Sequence, residues 1–252
     1  MVTLKIDGKI IQAREGTMVL EAARQMNINI PAICHHEAVE PWGGCRLCLV
    51  EITHDDWGGW SGLVTSCLYP VEEGLIVTTA SPKVIETRKT IIDLLLARCP
   101  GSPRIQELAR EYGIEKTSYV PDVGRDNCIL CGLCVRLCAG MGMAAISTAG
   151  RGAAKEISTP LQEAPEDCIG CGVCHKNCPT MNIPMQDKNG VRTIWNRKFE
   201  LIRCSACGKA HITREHAEYL CEHQDLPPEY FETCDQCKRL ENADRFAAIV
   251  KW

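Results

Sequence analysis

Hydrophobic and polar positions alternate at the start of the chain, then turn helical, then alternate again. Val2–Ile6 reads as a strand of period two, Asp7-Gly8 as a tight turn and Lys9–Ala13 as the returning strand. Thr17 is placed to cap a helix over residues 18–26, with Glu21 near its start. Pro31, Pro41, Gly43 and Gly44 mark a loop, and residues 47–52 and 75–78 read as further strands. Ser81-Pro82 combines a cap with a proline at the first helical position and predicts a helix over residues 83–98. Its apolar residues Val84, Ile85, Ile91, Ile92, Leu94 and Leu95 read as core. Pro100-Gly101 breaks that helix, and Ser102-Pro103 opens a shorter one that Gly113 ends. Residues 114–198 are short elements between runs of cysteine, and residues 238–250 could form a closing helix. The pattern predicts an α+β chain in three units, 1–98, 99–198 and 199–252.

Composition changes this picture at one residue type. The balance of 28 basic against 32 acidic residues is ordinary for a globular protein and lacks the basic excess of a nucleic-acid surface. No run of 18 apolar residues predicts a membrane span. The first residues lack a basic stretch followed by an apolar core, so the expected location is the cytoplasm. Cysteine is the anomaly, at 18 of 252 residues. A reducing cytosol keeps thiols free, and pairs separated by two residues suit a shared metal better than a disulfide framework.

The cysteines fall into groups. Cys34, Cys45, Cys48 and Cys67 are spaced x10, x2, x18, around the glycine-rich loop Trp42-Gly43-Gly44-Cys45-Arg46-Leu47-Cys48. Four thiolates suffice for a two-iron cluster, and glycines let backbone amides turn towards sulfur; a zinc site is the alternative at these residues. Cys128, Cys131, Cys134 and Cys138 run x2, x2, x3, and Cys168, Cys171, Cys174 and Cys178 repeat that spacing forty residues on, with Pro179 following. This is the bacterial two-cluster ferredoxin signature, in which the fourth cysteine of each run ligates the other cluster. One [4Fe–4S] cluster is therefore expected on Cys128, Cys131, Cys134 and Cys178, the other on Cys168, Cys171, Cys174 and Cys138. Gly132, Gly170 and Gly172 suit the loops. The first run ends Cys138-Ala139, without the usual proline. Cys204, Cys207, Cys234 and Cys237 form two C-x2-C pairs 26 residues apart, close to the zinc-ribbon pattern. Zinc is the expected metal, with a single iron or a further cluster as the alternative. Cys221, His211, His216 and His223 lie nearby.

The strand–turn–strand–helix start, followed by IPAICHH, WGGCRLCLVEI and TSC, resembles the β-grasp two-iron ferredoxin domain of the complex I large iron–sulfur subunit. A similar domain opens the diaphorase-side iron–sulfur subunit of NAD(P)-linked nickel–iron hydrogenases and many iron-only hydrogenases. The resemblance covers residues 1 to about 98 and implies a [2Fe–2S] cluster on Cys34, Cys45, Cys48 and Cys67, which leaves no ligand role for His35 and His36. In that family the next helix leads to a four-iron site of one histidine and three cysteines. Here the stretch LLLARCPGSPRIQELAREYG holds only Cys99, so no cluster is expected there.

The resemblance implies an iron–sulfur relay subunit. Electrons would pass between a flavin-containing, NAD(P)H-oxidising subunit and a second redox subunit, a hydrogenase or a formate dehydrogenase. Electron bifurcation would be a property of the flavin partner. No dinucleotide fingerprint, flavin site or catalytic residue is recognised in this chain. The alternatives are an independent ferredoxin-like carrier or redox sensor, and the iron–sulfur subunit of a succinate or fumarate-type dehydrogenase, which the cysteine spacings fit poorly. Trp57-Gly58-Gly59-Trp60 reads either as a partner-docking loop or as a loop packed over the first cluster.

Overall fold

The computed structural model describes residues 1–124 and 126–249. In the first sheet, β1 (Val2–Ile6) and β2 (Lys9–Ala13) form a hairpin with Ile6 opposite Lys9. The turn residues Asp7 and Gly8 both have positive φ, 48° and 79°, the backbone that an Asp-Gly pair favours. Asp7 also accepts hydrogen bonds from the Thr79 amide at 2.8 Å and hydroxyl at 2.6 Å, which ties the turn to the far end of the unit. The helix α1 (Val19–Gln25) follows, then β3 (Leu49–Thr53), β4 (Ser61–Thr65) and β5 (Ile76–Thr78). The strand order is β2-β1-β5-β3-β4, with β1 parallel to β5 and the other pairs antiparallel. Leu4, Ile6 and Ile11 of the hairpin, Leu20 of α1, and Val50 and Val77 bury themselves in one core.

Several expectations shift here. The cap of α1 is Met18, not Thr17, and no side chain bonds it. The Thr17 carbonyl accepts from the Val71 amide and Met18 bridges Pro70, so this stretch is held extended and cannot begin the helix. The strand expected from residue 47 begins at Leu49, because Arg88 takes up the Leu47 carbonyl at 3.0 Å, and its guanidinium also reaches that of Leu49. The long spacing between Cys48 and Cys67 is a hairpin, β3–β4, whose second strand the pattern did not show. The tryptophans sit at its tip. Cys48 and Cys67 sit at its base, about five residues or roughly 17 Å along the strands. The reading of a loop packed over the first cluster is therefore corrected. Trp57 packs against the sheet core, while Trp60 is exposed and meets it edge-on at 5.4 Å.

The helix α2 (Pro82–Arg98) is capped by Ser81, whose hydroxyl accepts from the Val84 amide, as expected. Val84 and Ile92 are buried, but Ile85 and Leu94 lie on the outer side of the helix and are exposed. α3 (Pro103–Glu111) ends before Gly113, which has φ 72°. α2 and α3 pack with α4 (Leu133–Gly140) in a second core of Ile92, Leu96, Ile105, Leu108 and Leu137. Cys99 is buried in this core, where burial pushes its thiol up to about 12. A small ribbon, β6 (Ser147–Ala149) with β7 (Glu156–Ser158), leads to the short α5 (Val173–Lys176).

The last sheet comprises β8 (Met185–Lys188), β9 (Val191–Ile194), β10 (Arg197–Arg203) and β11 (Ala210–Thr213), in the order β11-β10-β9-β8. β10 runs straight through residue 198, where the sequence divides into expected units. α6 (Arg214–Gln224), capped by Thr213, and α7 (Asp235–Ile249) close the chain. The helix expected over 238–250 thus starts three residues earlier; residue 250 lies outside the described residues. No helix among the described residues is long and apolar enough to cross a membrane.

Candidate functional site

Cys34, Cys45, Cys48 and Cys67 are brought together at one end of the first sheet, all buried. Cys48 and Cys67 flank the base of the β3–β4 hairpin, with their Sγ atoms 3.3 Å apart. Cys34 and Cys45 form the other pair, and the Cys45 amide donates to Cys34 Sγ at 3.4 Å. Within each pair one thiol is drawn down by the hydrogen bond it shares with its partner, Cys45 to about 6 and Cys48 to about 7, and the partner is pushed up. Positive φ at Gly43 and Arg46, 65° and 59°, bends the loop between these pairs.

The twin cysteine runs fold as twins. Leu130 and Gly170, at equivalent places, both take left-handed backbone, with φ 54° and 67°. Gly132 and Gly172 then cap α4 and α5 in the same conformation. Leu130 accepts a conformation that costs an L-residue about 1–2 kcal/mol. Position 170 cannot, because a Cβ there would lie 2.7 Å from the Phe199 ring.

Two adjacent cavities result. Cys128, Cys131, Cys134 and Cys178 line the inner one. Cys138, Cys168, Cys171 and Cys174 line the outer one. The fourth cysteine of each run thus stands with the first three of the other run. Asn182 secures this crossing. Its amide donates to Cys178 Sγ at 3.3 Å, and its side-chain oxygen accepts from the Asn127 amide beside Cys128 at 2.8 Å. The most buried of these thiols are held protonated. Burial pushes Cys131 and Cys174 up to about 11 and Cys134 to about 12. A metal bound by these thiols must therefore displace protons.

Three residues that carry no motif also belong to the site. Trp195 lines both cavities, and its indole N–H donates to Cys174 Sγ at 3.4 Å. It sits at φ 51° in the β9–β10 turn, an uncommon backbone for a bulky residue, which places the indole between the two thiol sets. Arg136 on α4 donates to the carbonyls of Cys34 at 2.6 Å and Glu40 at 2.8 Å, clamping the first site onto the second. Arg192 donates to the Gly170 carbonyl at 3.0 Å. No local spacing singles these residues out, since each acts across more than twenty positions of sequence. The first site also abuts the second directly, because a Cβ on Gly44 would lie 3.6 Å from the Cys131 carbonyl.

Cys204, Cys207, Cys234 and Cys237 converge so that all four sulfurs lie within 4.8 Å of one another, the one such group among the described residues. Cys207 and Cys234 Sγ are 3.8 Å apart. A tetrahedral ion with metal–sulfur bonds of about 2.3 Å has a sulfur–sulfur edge of roughly 3.8 Å, so this set fits a single ion. The Cys234 amide, 3.3 Å from Cys204 Sγ, draws that thiol down to about 6. Cys221, on α6, is not in this group.

Comparison with known proteins accords with these arrangements. A model described as a 2Fe-2S iron-sulfur cluster binding domain matches residues 1–82, and one for a 4Fe-4S dicluster domain matches residues 122–185. The NADPH-Fe(3+) oxidoreductase subunit alpha of Geobacter sulfurreducens is 34% identical over 204 residues, 71% of this chain and 24% of that protein. The NADP-reducing hydrogenase subunit HndD of Solidesulfovibrio fructosivorans is 32% identical over 55% of this chain and 28% of its own length. The chain therefore spans about a quarter of the length of these relatives. In a crystal structure of NAD+-reducing [NiFe]-hydrogenase in the H2-reduced state, one chain matches with a TM-score of 0.55 and 30% identity, over 63% of this chain and 74% of that one. The chain belongs to the iron–sulfur electron-transfer proteins of NAD(P)H-linked oxidoreductases, which join a 2Fe–2S domain to a 4Fe–4S dicluster domain.

Proposed function

We propose that this protein relays electrons, one at a time, between a flavin-containing NAD(P)H-oxidising subunit and a second redox subunit, a hydrogenase or a formate dehydrogenase, in the cytoplasm. The observation that supports it best is the continuity of the three thiol sites. A Cβ on Gly44 of the first would meet the Cys131 carbonyl of the second, Cys45 and Cys131 share one buried core, and Trp195 lies between the second and the third. A free carrier needs one such site, whereas three in a row suit conduction through a larger assembly. Eighteen free thiols suit a reducing compartment.

In this reading the first sheet is a β-grasp in which Cys34, Cys45, Cys48 and Cys67 hold a [2Fe–2S] cluster. Cys128, Cys131, Cys134 and Cys178 hold one [4Fe–4S] cluster, and Cys168, Cys171, Cys174 and Cys138 hold the other. Cys204, Cys207, Cys234 and Cys237 hold a structural zinc in a ribbon-like module. The residues fit these groups, since the thiols are gathered, all but Cys207 are buried or half-buried, and amide or indole N–H groups point at the sulfurs. When bound, the clusters supply reversible one-electron transfer. The chain's own residues shield most of the thiols from water, hold the sites side by side, and stabilise negative charge on sulfur through those donors.

Trp195→Phe removes one donor without emptying the space. The hydrogen bond to Cys174 favours the more negative, reduced state, so its loss lowers the midpoint of the outer four-iron cluster. The shift is roughly 20–65 mV, the one-electron equivalent of a hydrogen bond worth about 0.5–1.5 kcal/mol. A redox titration followed by paramagnetic resonance reads it. The relay itself is tested by affinity capture from native anaerobic cells. Co-elution of flavin together with NAD(P)H-dependent and hydrogen- or formate-dependent dye reduction is the expected result. Recovery of the chain alone counts against it.

A further inference from the structure

Between the outer cysteine cavity and the C-terminal knuckles lies another cavity, of about 470 Å3. Four cationic side chains from four segments converge on it: Lys176 at the end of α5, Arg192 on β9, Lys209 beside the first knuckle and Lys238 on α7. Asp235 is the one carboxylate among the described lining residues. Lys238 lies 3.9 Å from Asp235 and Arg192 lies 2.8 Å from Asp187. Lys176 and Lys209 have no carboxylate within salt-bridge distance among the described residues. His211 and His216 complete the polar wall, and His211 Nε2 is buried with no hydrogen-bond partner. Tyr230 supplies an aromatic side, with Lys238 Nζ 3.1 Å from its ring centroid.

Like charges drawn round one partly enclosed space repel each other, and a cleft of one sign concentrates counter-ions. The thiolates of the knuckle offset part of this charge and Asp187 pairs with Arg192, but Lys176 reaches the cavity from the opposite wall with no carboxylate in salt-bridge range among the described residues. Donors that converge from several directions suit a tetrahedral oxyanion with many acceptor oxygens better than a planar carboxylate with two. The volume lies within the roughly 300–1,000 Å3 of small-molecule sites.

We propose that this cavity binds a small anion bearing phosphate groups, held by Lys176, Lys209 and Lys238 with a hydrogen bond from His211 Nε2. Cys171 and Cys234 also line the cavity, so a bound anion sits between the outer cluster and the zinc module, and its negative charge disfavours reduction of that cluster. This last effect rests on the relay reading; the binding itself does not.

The test titrates the full chain, loaded with iron and zinc, with pyrophosphate and with ADP by calorimetry in a phosphate-free, low-salt buffer. Saturable binding below about 1 mM is expected, weakened about tenfold or more in Lys176→Ala/Lys209→Ala through the loss of two charge-assisted contacts. Iron and zinc contents should not change. Should the double variant lose zinc, Lys176→Ala alone, on the wall away from the knuckles, must still weaken binding. Tighter binding of ADP than pyrophosphate adds the Tyr230 wall to the site, and equal binding confines the site to the phosphates. Absent binding, or binding that Lys176→Ala leaves unchanged, overturns the proposal. In the same samples pyrophosphate should lower the midpoint of the outer cluster in the parent chain and not in the variant.

Discussion

Replacing Cys178 by serine removes the four-iron cluster built on Cys128, Cys131 and Cys134, and spares the cluster on the residues next to Cys178 in sequence. Iron falls from about ten to about six atoms per chain, the difference being one cubane. The reason is spatial. Cys178 lines the inner cavity with the first run, and Asn182 bonds both the Cys178 sulfur and the Asn127 amide across that cavity. Cys174→Ser should instead remove the outer cluster, and Cys138→Ser should match Cys174→Ser rather than its sequence neighbour Cys134→Ser. Paramagnetic resonance of the reduced variants distinguishes these outcomes, because each loses one set of four-iron features. If Cys178→Ser and Cys174→Ser erased the same features, the crossed arrangement would be wrong.

The second large effect concerns the C-terminal module. With zinc held as proposed, Cys204→Ser is expected to lower it from about one per chain to near none, while iron content holds. In the proposed reading the ion held by these four thiols supplies much of this module's order, and metal-binding free energy is then folding free energy. Cleavage by a protease is expected to open beyond residue 203 in the variant. The strands before it should survive, because Phe199 of β10 is buried against the dicluster core. Iron in place of zinc at this site, with the colour of an iron–thiolate centre, would refute the structural role.

The chemistry was largely legible in the sequence because short cysteine spacings are local. Three thiols on one tight loop share a site whatever surrounds them, so the runs at 128–138 and 168–178 could be read from spacing, while those at 34–67 and 204–237 needed resemblance or a known paired-knuckle pattern as well. The first hairpin was legible for the same reason, since Asp7-Gly8 dictates its own backbone. What failed was long-range. Thr17 looked like a cap until Pro70 and Val71 held that stretch extended. The β3–β4 hairpin hid in the gap between Cys48 and Cys67, because Ser61–Thr65 is only partly buried and carries little alternation. The sheet over 185–213 crosses the boundary that the cysteine groups suggested, since strands pair by register and not by motif. Trp195, Arg136 and Arg192 acquire their roles only when the fold brings distant segments together.

In the proposed reading twelve thiolates cage redox-active iron in three neighbouring sites. It is tested most directly by iron analysis and paramagnetic resonance on the anaerobically purified, chemically reduced chain. About ten iron atoms, a two-iron signal, and two four-iron signals broadened by their mutual proximity across Trp195 are the expected result. A colourless, iron-poor sample that stays silent after reduction would contradict it.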